Sequence, residues 1–102
     1  MTPLIEGQKE QIAELCKSFK VRRLDLFGSA ATGGFDAQTS DLDFLVSFSS
    51  SEPAEYSRCY FGLVEALERL FKCRVDLVTE RSVRNPYFRQ TLEQTRLNLY
   101  GT

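Results

Sequence analysis

The stretch Ser40-Asp41-Leu42-Asp43-Phe44-Leu45-Val46 decides how this chain is read. Leu42, Phe44, Val46 and Phe48 alternate with Asp41, Asp43, Leu45 and Ser47, which is the period-two pattern of a strand running from Asp41 to Phe48. The serine run Ser49 to Ser51 and then Pro53 end it. Two carboxylates therefore emerge on one side of an otherwise hydrophobic strand. Residues two apart on a strand have Cα atoms roughly 6.7 Å apart, so both can lean onto metal ions spaced roughly 3.5–4 Å, as in two-metal phosphoryl chemistry. A strand start beside a serine-rich loop is also a common place for solvated aspartates, and the pair alone leaves that option open.

Working outward, Ile12, Leu15, Cys16 and Phe19 recur at helical spacing and predict a helix over Gly7 to Phe19. A strand follows from Val21 to Phe27, with Leu24 and Leu26 around Asp25, and it stops at Gly28. Ser29 to Ser40 reads as a loop with room for one helical turn after Gly28. Beyond the central strand, a broad apolar face that includes Tyr60, Leu63, Leu67 and Phe71 predicts a helix from Ala54 to Lys72. A third strand, Cys73 to Thr79, sets Cys73, Val75 and Leu77 opposite Arg74, Asp76 and Val78. Thr79 reads as an N-cap, and a last helix from Pro86 to Leu97 buries Phe88 and Leu92.

Asp76 adds weight to the first pair, because an acid set among Val75, Leu77 and Val78 has no evident structural use and is costly to bury unless paired or metal-bound. Three carboxylates packed together repel by ~1–4 kcal/mol per pair at 4 Å. A positive partner must offset this, and Mg²⁺ suits an all-oxygen set that leaves room for waters and phosphates. The plain alternative for Asp76 is a surface position paired with Arg74 or Arg81. Gly28-Ser29, directly after the first strand, outlines a phosphate cradle: glycine lets backbone N–H groups come close, and the serine hydroxyl adds a donor. As a bare dipeptide it is usually just a turn. Neither a Walker A loop nor G-x-G-x-x-G is present.

Composition narrows the classes. With 102 residues and 42% apolar content, the chain is expected to form one domain over 1–102, with no room for a lid or an acceptor-binding domain. A net charge of −1 provides no global field for nucleic acid, so direct binding to it is not expected. Up to Phe71 seven basic residues face eleven acidic ones, whereas from Lys72 onward six basic face three acidic. That gradient is either a solvated tail carrying Arg81, Arg84, Arg89 and Arg96 or a positive rim for an anionic ligand. The absence of His excludes His-dependent triads and imidazole acid–base catalysis. Cys16, Cys59 and Cys73 are widely spaced in apolar patterns and read as reduced core residues. With no signal-like N-terminus and no run of the ~20 apolar residues that a spanning helix needs, a cytoplasmic location is expected and no membrane partner.

Order and spacing together carry more than any single motif. Leu-Phe-Gly-Ser (Leu26 to Ser29), Ser-Asp-Leu-Asp-Phe-Leu-Val (Ser40 to Val46), Val-Asp-Leu-Val (Val75 to Val78) and Leu99-Tyr100-Gly101 resemble the DNA polymerase beta-like nucleotidyltransferase superfamily, within it the minimal nucleotidyltransferases. The resemblance spans almost the whole chain. It implies an α+β, two-layer nucleotidyltransferase fold with a mixed sheet of about three strands packed with helices. It implies that Asp41 and Asp43 bind Mg²⁺, two ions in all, that Asp76 helps hold the ion activating the attacking hydroxyl, and that Gly28 and Ser29 contact the outer phosphates. The reaction implied is transfer of a nucleoside monophosphate, most simply AMP from ATP, with release of pyrophosphate. The acceptor implied is a tyrosine of a helical HEPN-type toxin, this chain being the antitoxin of a toxin–antitoxin module. Thr32 stands where the family pattern often carries Arg, and Arg81 or Arg84 is the candidate replacement.

Two other classes compete. A catalytically silent module could neutralise a partner sterically, but it would have no reason to keep three costly acids. A receiver-like regulator would need a late-strand Lys, and no Lys follows Lys72.

Overall fold

The alternation around Asp43 forms strand β2, Leu42–Phe48, with Asp41 immediately before it. In the computed structural model, which describes residues 3–28, 31, 41–49 and 52–101, β2 is preceded by α1 (Pro3–Glu6), α2 (Lys9–Ser18) and β1 (Val21–Phe27). It is followed by α3 (Pro53–Phe71), β3 (Val75–Thr79), a 3₁₀ turn (Glu80–Ser82), α4 (Pro86–Thr95) and β4 (Leu97–Gly101). The sheet order is β3-β2-β1-β4, with β1 antiparallel to both neighbours and β2 parallel to β3. The mixed sheet is thus as expected, with four strands rather than three.

Period-two alternation divides the sheet into two faces. Leu24, Leu26, Leu42, Phe44 and Val46 are buried against Ile12 and Cys16 of α2 and Leu63, Leu67 and Phe71 of α3. These helices and the sheet are the two expected layers. On the opposite face Phe27 and Leu45 form a smaller cluster with Val83 and with Leu92 of α4. Phe88 is half-exposed and meets Phe27 edge to face, at 6.0 Å between ring centres. Cys16 and Cys59 are buried, Cys73 is half-buried, and none forms a disulfide. Among the described residues no helix is long and apolar enough to cross a membrane.

Local chemistry explains where the elements stop. Pro53 opens α3 at its first turn, and Lys72, at φ 55°, closes it with its N–H on the carbonyl of Glu68. The last helix begins behind Asn85, whose side-chain oxygen accepts from the Tyr87 and Phe88 N–H groups; Thr79 caps nothing with its side chain. That helix ends at Thr95 instead of reaching Leu97, because Arg96 turns extended and carries Leu97 into β4 beside β1.

The reason lies in a buried acid. Asp25, in the middle of β1, is fully buried and accepts from Arg96 Nε at 2.6 Å, Asn98 Nδ2 at 2.9 Å and Arg23 Nε at 3.2 Å. A carboxylate there is tolerable only because it is paired and hydrogen-bonded on both oxygens. Arg96 is consequently part of the interior and contributes nothing to a positive rim.

The outer edge of β3 is covered by side chains rather than by a strand. Glu68 accepts from the Val75 N–H at 3.4 Å, Tyr60 donates its hydroxyl to the Leu77 carbonyl at 2.6 Å, and Ser82 donates to the Thr79 carbonyl at 2.8 Å. Such cover keeps an edge from pairing indiscriminately.

Candidate active site

Parallel pairing of β2 with β3 places Asp43 and Asp76 directly opposite one another. Register partners in a sheet project to the same face, so both carboxylates stand on the side that Phe27 and Leu45 also occupy. Asp43 is half-buried, and its carboxyl is pushed up to about 6, first by burial and then by the charges of Asp76 and Asp41. Asp76 is exposed, unlike the buried acid its apolar neighbours suggested, because β3 is an edge strand. Asp41 is exposed as well, and its Oδ1 lies 3.6 Å from Arg74 Nε. Arg74, suggested by the sequence as a partner for Asp76, therefore serves Asp41.

On the other side of β2, Gly28 ends β1 at φ +72°. A β-carbon there would stand 2.5 Å from Asp43 Oδ2, so only glycine lets the chain turn this close to the carboxylate. The turn continues with the Ala31 N–H donating to the Gly28 carbonyl at 3.1 Å. Ser29 and Thr32, the hydroxyl of the expected cradle and the departure from the family pattern, lie outside the described residues.

Asp43 is therefore brought between Gly28 and Asp76, while Asp41, whose charge also acts on Asp43, lies beside Arg74. Among the described residues no group of three His, Cys, Asp or Glu is set to hold a metal ion. The donor chemistry itself fits Mg²⁺, which takes hard oxygen ligands and is usually bound by one or two carboxylates plus substrate phosphates.

Three of the C-terminal arginines are engaged elsewhere. Arg81 lies over the Tyr56 ring at 4.1 Å, Arg89 donates to the Val83 carbonyl at 3.4 Å, and Arg96 is held by Asp25. One neighbour of the site escaped the sequence reading. The Tyr60 hydroxyl, bonded to the carbonyl just after Asp76, is pushed up by burial first, then by Asp76 and Tyr56. Two tyrosines four apart on an apolar helical face, Tyr56 and Tyr60, were the available signal.

Residues 9–98 match the family described as the nucleotidyltransferase domain. A curated relative from Methanocaldococcus jannaschii, named "Putative protein adenylyltransferase MJ1379", is 37% identical over 76 residues, covering 74% of each chain. Among solved structures, one described as a "putative minimal nucleotidyltransferase" superposes with a TM-score of 0.69 at 32% identity, over 90% of this chain and 89% of that one. Another, a toxin–antitoxin with AMP-PNP, gives a TM-score of 0.71 at 25% identity, over 92% of this chain and 73% of that one. A family match over residues 9–98, together with a fold that superposes on a minimal nucleotidyltransferase at 32% identity, shows that the chain belongs to the nucleotidyltransferase domain family, in its minimal form.

Proposed function

We propose that this protein transfers a nucleoside monophosphate, AMP from ATP, to a hydroxyl of a partner protein in a Mg²⁺-dependent reaction. The partner is a HEPN-type toxin, and this chain acts as its antitoxin. The single observation that carries the reading is the face-to-face register of Asp43 and Asp76 with Gly28 pressed against Asp43. The relative named as a protein adenylyltransferase and the structural neighbour solved as a toxin–antitoxin with AMP-PNP support the acceptor class and the nucleotide.

In this reading Asp43 and Asp76, with Asp41 swung from Arg74, hold the cation. What it supplies when bound is charge neutralisation of the triphosphate and the departing pyrophosphate. Gly28 exposes backbone to the outer phosphates, with Ser29 beside it. Asp76 is exposed, whereas Asp43 is half-buried, so an acceptor hydroxyl arriving from solvent meets Asp76 first. Asp43 must be ionised to act, and its raised carboxyl marks a site that gains when positive charge arrives.

The test is incubation with the HEPN-type partner, Mg²⁺ and ATP labelled at either the α- or the γ-phosphate. Label from the α-phosphate alone should appear on the partner. Label from the γ-phosphate on the partner would mean phosphoryl transfer, and a tight complex without label would mean steric neutralisation.

A further inference from the structure

We propose that a cleft at the far end of β2 is a second binding site, one that holds the phosphate of a small phosphorylated molecule between Arg22, Arg81 and Arg89. The cleft measures about 350 Å³, and its lining includes those three arginines together with Ser47, Tyr56 and Glu80. None of Gly28, Asp41, Asp43 and Asp76 contributes to it. Ser47 lies four residues beyond Asp43 along β2, roughly 13 Å at the rise of a strand, so the cleft is separate from the carboxylates.

Three separate elements deliver the cations: Arg22 comes from β1, Arg81 from the 3₁₀ turn after β3 and Arg89 from α4. Arg22 reaches the cleft through a β-bulge. Val21 pairs with Phe48 and Arg23 with Ser47, which leaves Arg22 as the extra residue. In an unbroken ladder Arg22 would oppose Phe48 and face the helical core, whereas the bulge buries Val21 there and leaves Arg22 exposed. Arg81 is positioned by its stacking over the Tyr56 ring at 4.1 Å, and Arg89 by the Val83 carbonyl at 3.4 Å.

Charge determines what fits. Among the described residues none of the three arginines forms an ion pair. Glu80, the acid in the lining, is already engaged: it accepts from the Ser47 hydroxyl at 2.7 Å and lies 3.6 Å from Arg96. Positive charge is therefore in surplus, and the mutual repulsion of the guanidinium groups falls when an anion enters. Each guanidinium is a planar fork that matches phosphate oxygens in pairs, and a phosphate of about −1.5 to −2 charge balances more of the surplus than one carboxylate does. A cleft of this volume suits a small molecule. A nucleic-acid strand needs an extended basic track, which a chain of net charge −1 does not supply.

The test is isothermal titration calorimetry in EDTA, which keeps the metal-dependent reaction out of play, with AMP, inorganic pyrophosphate and adenosine as probes. AMP and pyrophosphate should bind and adenosine should not, and whichever of the first two binds more tightly identifies the source of the phosphate. Arg81→Gln combined with Arg89→Gln should weaken binding at least tenfold. Arg69→Gln combined with Arg84→Gln removes the same charge from outside the cleft and should leave binding within twofold, as should Asp43→Asn. In the parent protein the Arg81 and Arg89 Nε–H resonances should shift with pyrophosphate, which decides the point if the first double variant does not fold. The proposal is overturned if neither phosphate probe binds, if adenosine binds as well as AMP, if the two double variants behave alike, or if those resonances stay still. A short RNA binding far more tightly than AMP would make the occupant a polymer and overturn it too. No turnover is measured, so failure of the nucleotidyl-transfer reading leaves this result standing, and loss of this binding leaves that reading standing.

Discussion

Gly28 and Asp43 approach so closely that a single methyl group on the glycine would stand 2.5 Å from the carboxylate oxygen. The contact couples the turn after β1 to the first acid of the site, so the backbone available to a phosphate and the carboxylate available to a cation are positioned together.

Gly28→Ala should therefore damage both stability and transfer. The left-handed backbone at φ +72° costs a non-glycine residue about 1–2 kcal/mol, and the added methyl forces Asp43 to rotate away. Urea denaturation should show that loss, and the labelled-transfer rate should fall at least tenfold. A variant with the parent's stability and rate would mean that the close approach has no role.

The pH dependence of the metal-free, nucleotide-free protein has a definite sign. Asp43 titrates at about 6 when folded against an ordinary 3.8, so the folded state holds the proton more tightly than the unfolded chain. Stability contributed by this group falls as pH rises between those values and stays lower above them. Asp43→Asn removes the penalty. In EDTA at pH 7.5 it should stabilise the fold by about 1 kcal/mol, after discounting for solvent around a half-buried group, and flatten that part of the pH profile. A loss of stability at pH 7.5 would contradict the assignment.

Arg96→Leu should cost ~3–5 kcal/mol, because it leaves Asp25 as a fully buried carboxylate with only Arg23 and Asn98. Asp25→Leu combined with Arg96→Leu should cost clearly less than the sum of the single changes, since the double variant buries no orphaned charge. Chemical denaturation of all three variants measures this; strict additivity would mean that the pair does not interact.

This ion pair also shows what the sequence could and could not convey. Alternation placed Asp41, Asp43 and Leu45 on one face of β2, and the same period-two pattern placed Asp76 opposite Leu77, all from neighbouring residues. Asp25 drew no attention as a buried charge, because its partners Arg96 and Asn98 lie 71 and 73 residues away. Nor did the fourth strand emerge, since the last helix was expected to run to Leu97, whereas Arg96 turns extended beside Asp25 and Leu97 pairs with β1. The exposure of Asp76 depended on β3 being an edge, a property of the whole sheet that a single strand's pattern does not carry.

Leu45→Asp should unfold or severely weaken the protein. Leu45 is 2% exposed within the cluster of Phe27, Val83 and Leu92, so the new carboxylate would be buried without a partner. It would also stand opposite Asp25, the register partner of Leu45, on the face that carries Asp43. Thermal melting followed by circular dichroism should show a large drop in Tm or no cooperative transition, whereas a parent-like Tm would place Leu45 outside the core.

The measurement that bears most directly on the carboxylate pair is Mn²⁺ binding followed by electron paramagnetic resonance, in the presence of a non-hydrolysable ATP analogue. The parent protein, Asp43→Asn and Asp76→Asn would be compared, each shown to be folded by circular dichroism. Each substitution should weaken Mn²⁺ binding at least tenfold and abolish label transfer to the partner. An Asp76→Asn protein that binds Mn²⁺ and labels its partner as well as the parent would contradict the account.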